Sequence, residues 1–220
     1  MAFMPTRRTL LLSLSSMALI PAIPAARAQA PAAFKPTARD NTDLRRIEAY
    51  LNTLKTMKAR FLQVAPDGGI TNGTAWVSRP GRLRFEYDPP APFLLVAGQT
   101  GLIFYDATLR QTSNIPISRT PLGILLSEKA ELSGDVTVTG IERLPGQIHV
   151  SLVRTASPGD GSLTLTFADA PLTLRQWRVI DAQRKETRVT LFNMELGGTF
   201  DPKLFEFRDT DPMAGATGGG

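Results

Sequence analysis

The sequence predicts a mainly β domain, one twisted antiparallel sheet covered by a long N-terminal helix and a short inserted one. Three observations carry that expectation. A single long stretch repeats its apolar residues every three or four positions. After it the period switches to two. The breaks between the later runs are short and rich in Gly, Pro, Asn and Asp, as antiparallel hairpins require.

The first residues read as an export signal and not as fold. Arg7 and Arg8 precede an apolar run from Leu10 to Ile20 that is too short to span a bilayer, and Ala26-Arg27-Ala28 gives a small-x-small cleavage pattern. Pro21 and Pro24 argue against a buried helix there. Residues 1–28 are therefore expected to be a signal peptide and residues 29–39 a linker. Residues 40–211 form the folded domain, and the Gly-rich residues 212–220 a disordered tail. Thr6-Arg7-Arg8-Thr9-Leu10 also loosely fits a twin-arginine signal, so either general secretion or that route is open.

Cleavage changes the charge argument. The chain has 25 basic and 20 acidic residues, and the signal takes three arginines and no acid, leaving 22 against 20. The basic balance was mostly export chemistry, which removes the main support for a nucleic-acid partner. The chain has no cysteine. Disulfides, thiolate metal sites and N-terminal lipidation are excluded with it. The expected mature protein is a periplasmic domain of about 190 residues, large enough for one substantial core.

Asp40, Asn41 and Thr42 offer N-cap oxygens for the long helix. Leu44, Ile47, Leu51, Leu54 and Met57 form its dry face, with Arg45, Arg46, Glu48 and Lys55 on the wet side. The clearest strand is Arg82 to Asp88, where Leu83, Phe85 and Tyr87 alternate with charges, so that Arg82, Arg84, Glu86 and Asp88 read as a solvated sheet surface. Further strands are expected at 93–97, 102–105, 136–141, 148–153, 163–167, 172–180 and 188–194. Thr120-Pro121-Leu122-Gly123-Ile124-Leu125-Leu126 interrupts them as a short apolar helix opened by a capping residue and a proline. Both helices must cover the dry face of the sheet. Whether they form a lid over a pocket or a plug is not decided by the pattern.

Catalytic signals are absent. The single histidine, His149, falls on the polar phase of a strand, where an exposed, inert residue is the expected reading. No second histidine exists for a metal pair, and there is no nucleophile elbow, phosphate loop or dinucleotide fingerprint. A carboxylate pair formed only in space stays open. The expectation is a protein that is not an enzyme and uses no cofactor, no metal and no catalytic residue.

Four segments carry a resemblance. Trp76-Val77-Ser78-Arg79-Pro80-Gly81-Arg82-Leu83-Arg84-Phe85-Glu86-Tyr87 resembles the signature of the LolA family of outer-membrane lipoprotein carriers. Met57 to Gln63, Thr120 to Leu126 and Thr199 to Phe207 are similar to its first strand, its lid helix and its closing segment, in the same order. The resemblance implies a half-open barrel whose concavity is closed by helices. It implies acylated lipoproteins as cargo, received from an ATP-driven inner-membrane transporter and handed to an outer-membrane acceptor (LolB-like, where one is present). It makes Arg79 the arginine that latches the lid, a task suited to five donors in a planar fork. The same arginine could instead serve only turn carbonyls or a surface carboxylate.

The candidate lining of an acyl cavity is Leu51, Leu54, Leu83, Phe85, Tyr87, Leu122, Leu125 and Leu126. Burying each methylene is worth about 0.8 kcal/mol, so an acyl chain of roughly sixteen carbons leaves a membrane at a cost on the order of ten kcal/mol. A carrier must match that apolar area and still release it. The alternative is a periplasmic binder of another apolar ligand, a glycolipid or phospholipid. A monomer is assumed.

Overall fold

A computed structural model describes residues 34–98, 101–116 and 123–207. The expected signal peptide, the tail, Thr120, Pro121 and Leu122 lie outside the described residues.

The long helix, α1 (Ala38–Thr53), starts earlier than the expected caps. Thr37 is the N-cap and Asp40 occupies the third helical position, so the two form a reciprocal capping box. The Asp40 carboxylate accepts the Thr37 backbone N–H and hydroxyl, both at 2.7 Å. It also accepts from Arg143 at 2.6 Å, while Asp43 takes two further bonds from the same guanidinium. These bonds, those from Thr37 first, hold the Asp40 carboxyl at about 2 against an ordinary 3.8. A depressed carboxyl stabilises the fold above its unfolded value and loses that contribution as pH falls towards its folded one. The Tm of the parent should therefore drop on acidification from 3.8 to about 2, and Asp40→Asn should start lower and fall less over that interval. Parallel curves in a thermal melt series would remove Asp40 from the acid response.

α1 ends at Leu54, and Met57, read above as its last apolar position, belongs instead to β1 (Thr56–Val64). Helix stripe and strand face meet the same core, so the spacing Leu54–Met57 mimics one more helical step. Ten more strands follow. They are β2 (Ile70–Ser78), β3 (Arg82–Tyr87), β4 (Phe93–Gly98), β5 (Gly101–Asp106), β6 (Gln111–Ile115), β7 (Val136–Leu144), β8 (Gln147–Arg154), β9 (Gly161–Asp169), β10 (Leu172–Asp181) and β11 (Glu186–Leu196). The second helix, α2 (Gly123–Leu126), stands between β6 and β7.

All eleven strands form one antiparallel sheet in the order β6-β5-β4-β3-β2-β1-β11-β10-β9-β8-β7. Every neighbouring pair is consecutive in sequence except β1 and β11, which join the two halves. β6 and β7 are consecutive yet lie at opposite edges, so the sheet stays open, with α2 on the chain between them. This is the half-open barrel.

The concave face is dry. Ile47 and Leu51 of α1 pack with Phe61, Phe85, Val150, Leu163, Leu165 and Phe167 of the sheet, all at most 3% exposed. β6 was not foreseen because it is a polar edge strand whose five residues are all exposed, leaving no alternation to read. The solvated reading of the Arg82–Asp88 surface is also corrected. Arg84 is only 6% exposed, because residues 202–207 lie across the convex side of β3–β5. Its guanidinium meets Glu86 at 3.1 Å and the Leu204 carbonyl at 3.4 Å, and a small second cluster of Leu94, Val96, Tyr105 and Ala107 is closed by Phe207.

Candidate functional site

The site is the seam between the sheet's concave face and its two helical covers. From α1 come Leu51 and, at its C-terminal end, Leu54; from α2 come Leu125 and Leu126; from β3 come Leu83 and Phe85. All six line one cavity, together with Met57, Val77, Arg79, Leu174 and Trp177. Of the other expected lining residues, Leu122 lies outside the described residues. Tyr87 points inward but sits beyond the cavity. Its ring packs edge-on against Phe61 and Phe93, and its hydroxyl donates to Gln63 at 2.9 Å. Burial pushes that hydroxyl's pKa up to about 12, so it stays a neutral donor.

Sequence reasoning missed Met57, Val77, Leu174 and Trp177. Met57 was placed on the helix. Leu174 and Trp177 are three apart, which breaks a strand's alternation, and the register shift between Leu174 and Gln176 accommodates the odd spacing. Leu172, Leu174 and the out-of-phase Trp177 were the available signal for a bulge.

The cavity measures about 40 Å³. At roughly 10–15 Å³ per water position, that is room for about three waters. The covers therefore pack nearly as a plug in this state.

Arg79 bridges the two covers. It follows the end of β2 and is 8% exposed. Its Nε donates to the Ser127 carbonyl at 2.8 Å, and one terminal nitrogen to the Ser127 and Glu128 carbonyls at 2.6 and 3.3 Å. The other terminal nitrogen donates to the Leu51 and Leu54 carbonyls. One guanidinium thus gathers carbonyls at two helix ends, one of which, that of Leu51, also accepts the Leu54 N–H at 3.2 Å. α1 has no basic residue in its own last turn, so the sheet supplies the cation that end lacks. Backbone bonds sit alongside, from Arg79 N–H to the Lys55 carbonyl and from Gly81 N–H to the Leu126 carbonyl, each 2.8 Å. Every partner is a neutral carbonyl, and burial lowers the Arg79 pKa. A desolvated charge balanced by dipoles alone is held less firmly than one paired to a carboxylate.

His149 is half-exposed on β8 with a ring nitrogen 3.1 Å from the Gln147 side chain. Among the described residues no cluster of carboxylates or imidazoles is arranged to hold a metal ion. Nor is any described helix long and apolar enough to cross a membrane.

The family model described as outer membrane lipoprotein carrier protein LolA matches residues 52–208, well over half of the chain. The chain belongs to the LolA family. Its match runs from the last turn of α1 through the whole sheet, including the Arg79 corner and every cavity residue except Leu51. An outer-membrane lipoprotein carrier protein of Methylococcus capsulatus is 27% identical over 185 residues, covering 80% of this chain and 86% of that protein. One of Azotobacter vinelandii is 24% identical over 187 residues, covering 80% and 88%. A solved LolA superfamily structure from Nitrosomonas europaea aligns over 74% of this chain and 97% of its own, at 10% identity and a TM-score of 0.43.

Proposed function

We propose that this LolA-family protein is a periplasmic carrier that takes the acyl chains of lipoproteins between its sheet and its helical covers. It then conveys them from the inner to the outer membrane. The single observation that carries the reading is Arg79: a buried cation, bonded to both covers and balanced by no carboxylate among its partners, above an almost wholly apolar cavity. Apart from the Arg79 guanidinium, which is engaged with carbonyls, the walls are apolar side chains suited to holding an acyl chain.

The chemistry of loading follows from the closed packing. Acyl chains entering the seam replace contacts among Leu51, Leu54, Leu83, Leu125 and Leu126 with contacts to themselves, and the Arg79 bonds break as the covers lift. When cargo leaves, the covers and the latch re-form. The closed empty state thus contributes a driving force for release. The ATP-driven transporter and an outer-membrane acceptor belong to this proposal as the donor and receiver such a cycle needs. The expected signal peptide supplies export, and the protein acts as a monomer without a cofactor.

The test is binding of a synthetic triacyl lipopeptide to Leu83→Glu and Leu125→Glu variants. Leu83 is 5% exposed and its replacement can unfold the protein, whereas Leu125 is half-buried on α2 and tolerates change better. A carboxylate in either wall should weaken lipopeptide binding roughly tenfold or more. Unchanged binding by a folded Leu125→Glu protein would exclude the seam as the acyl site. Preference for free phospholipid over lipopeptide would shift the cargo class.

A further inference from the structure

α1 is fixed at both ends. Its first turns hold Arg143 of β7 through Asp40 and Asp43, Arg46 pairs with Asp169 at the end of β9, and Leu54 leads into β1 at Thr56. The segment that follows α2 is not independent of it. Asn52 donates from Nδ2 to the Ala130 carbonyl at 2.9 Å and accepts the Ala130 N–H on Oδ1 at 2.9 Å. Both halves of its amide thus engage one residue, as a peptide group does in a ladder. One turn earlier, Glu48 Oε1 accepts the Leu132 N–H at 2.7 Å. Ala130 and Leu132 are 1% and 5% exposed. None of these bonds involves Arg79.

We propose that Asn52, supported by Glu48, is a positioning residue that pins the trailing end of the lid at Ala130–Leu132 and thereby sets the pivot on which α2 and residues 127–129 swing. The inference rests on the carrier reading of the lid. Ser127, whose carbonyl Arg79 grips, lies three residues from Ala130 but nine from Val136, where β7 begins. At about 3.3–3.6 Å per residue, the pinned arm reaches about 10 Å and an unpinned one about 30 Å. The pin confines the Ser127 and Glu128 carbonyls near the guanidinium and lowers the entropy lost when the latch closes.

The reporter is the Gly81 amide, which donates to the Leu126 carbonyl and touches neither Asn52 nor Glu48. In the full-length protein, Asn52→Ala should speed hydrogen exchange at Gly81 about tenfold while amides of the β1–β11 ladder keep their rates. Alanine is a better helix former than asparagine, so weakening of α1 itself cannot explain such a result. Glu48→Leu removes only the Leu132 tie and should give a smaller rise, which keeps the test open if Asn52→Ala fails to fold. Glu48→Gln retains an acceptor and should match the parent. Unchanged exchange at Gly81, or an equal rise at every amide, overturns the pivot. Lipopeptide binding by the parent protein is measured in parallel. Absence of binding with a Gly81 response overturns the carrier reading and leaves the pivot standing.

Discussion

Replacing Arg79 with leucine is expected to give a folded protein that still takes up acylated cargo but releases it about a hundredfold more slowly than the parent. The magnitude follows from the bonds. A hydrogen bond to a charged group contributes about 1.5–3 kcal/mol, and losing the equivalent of two weakens the closed state by about 3 kcal/mol, or a hundredfold in population. The fold should survive, because Arg79 pairs with no carboxylate among its bonded partners and leucine suits an apolar wall. The Leu54 and Ser127 carbonyls then lose the Arg79 donor, while that of Leu51 keeps only the Leu54 N–H. Arg79→Lys should fall between the two, since one ammonium cannot span four carbonyls on two elements. The check is transfer of a fluorescent lipopeptide from loaded protein to acceptor liposomes. Parent-like release by Arg79→Leu would mean that the arginine is a turn anchor only.

The second large effect is on stability. Phe61→Ala should cost about 3–5 kcal/mol in a urea melt. Phe61 is fully buried, and its ring lies 4.7 Å from that of Phe85 and 5.1 Å from that of Tyr87 between centroids. It also fills the space over Gly73 of β2. A Cβ there would stand 2.5 Å from the Phe61 ring and 2.2 Å from the Glu86 carbonyl oxygen. Gly73 has no side chain to move into the void, and the sheet backbone there is held in the ladder. A loss below about 1 kcal/mol would show that the sheet does relax. The cavity side of the wall would then be softer than its packing suggests.

What the sequence made legible was what periodicity can encode. β3 alternates cleanly because one face meets the core, which put Leu83 and Phe85 on the dry side; that a cavity lies there was an expectation from the resemblance. Where a second constraint acted, the pattern misled. Arg84 looked solvated because the segment that covers it is more than a hundred residues away in sequence. Trp177 was missed because the bulge before Gln176 reset the alternation, and Met57 because helix and strand share one core. β6 left no trace, since an edge strand with five exposed residues has no dry side. The α1 cap moved from Asp40–Thr42 to Thr37, three residues away, because Asp40 serves better as the acceptor at the third helical position. Arg79 was picked out by resemblance, and its double attachment to α1 and the lid became visible only in three dimensions.

The measurement that bears most directly on the carrier account is intact mass spectrometry of the protein recovered from the periplasm of its own cells, with its cargo retained. The expected result is a one-to-one complex with triacylated lipoprotein, lost when Leu125 is replaced by glutamate. Recovery of the wild-type protein with free lipid alone, or with nothing bound while lipoproteins still reach the outer membrane, would contradict it.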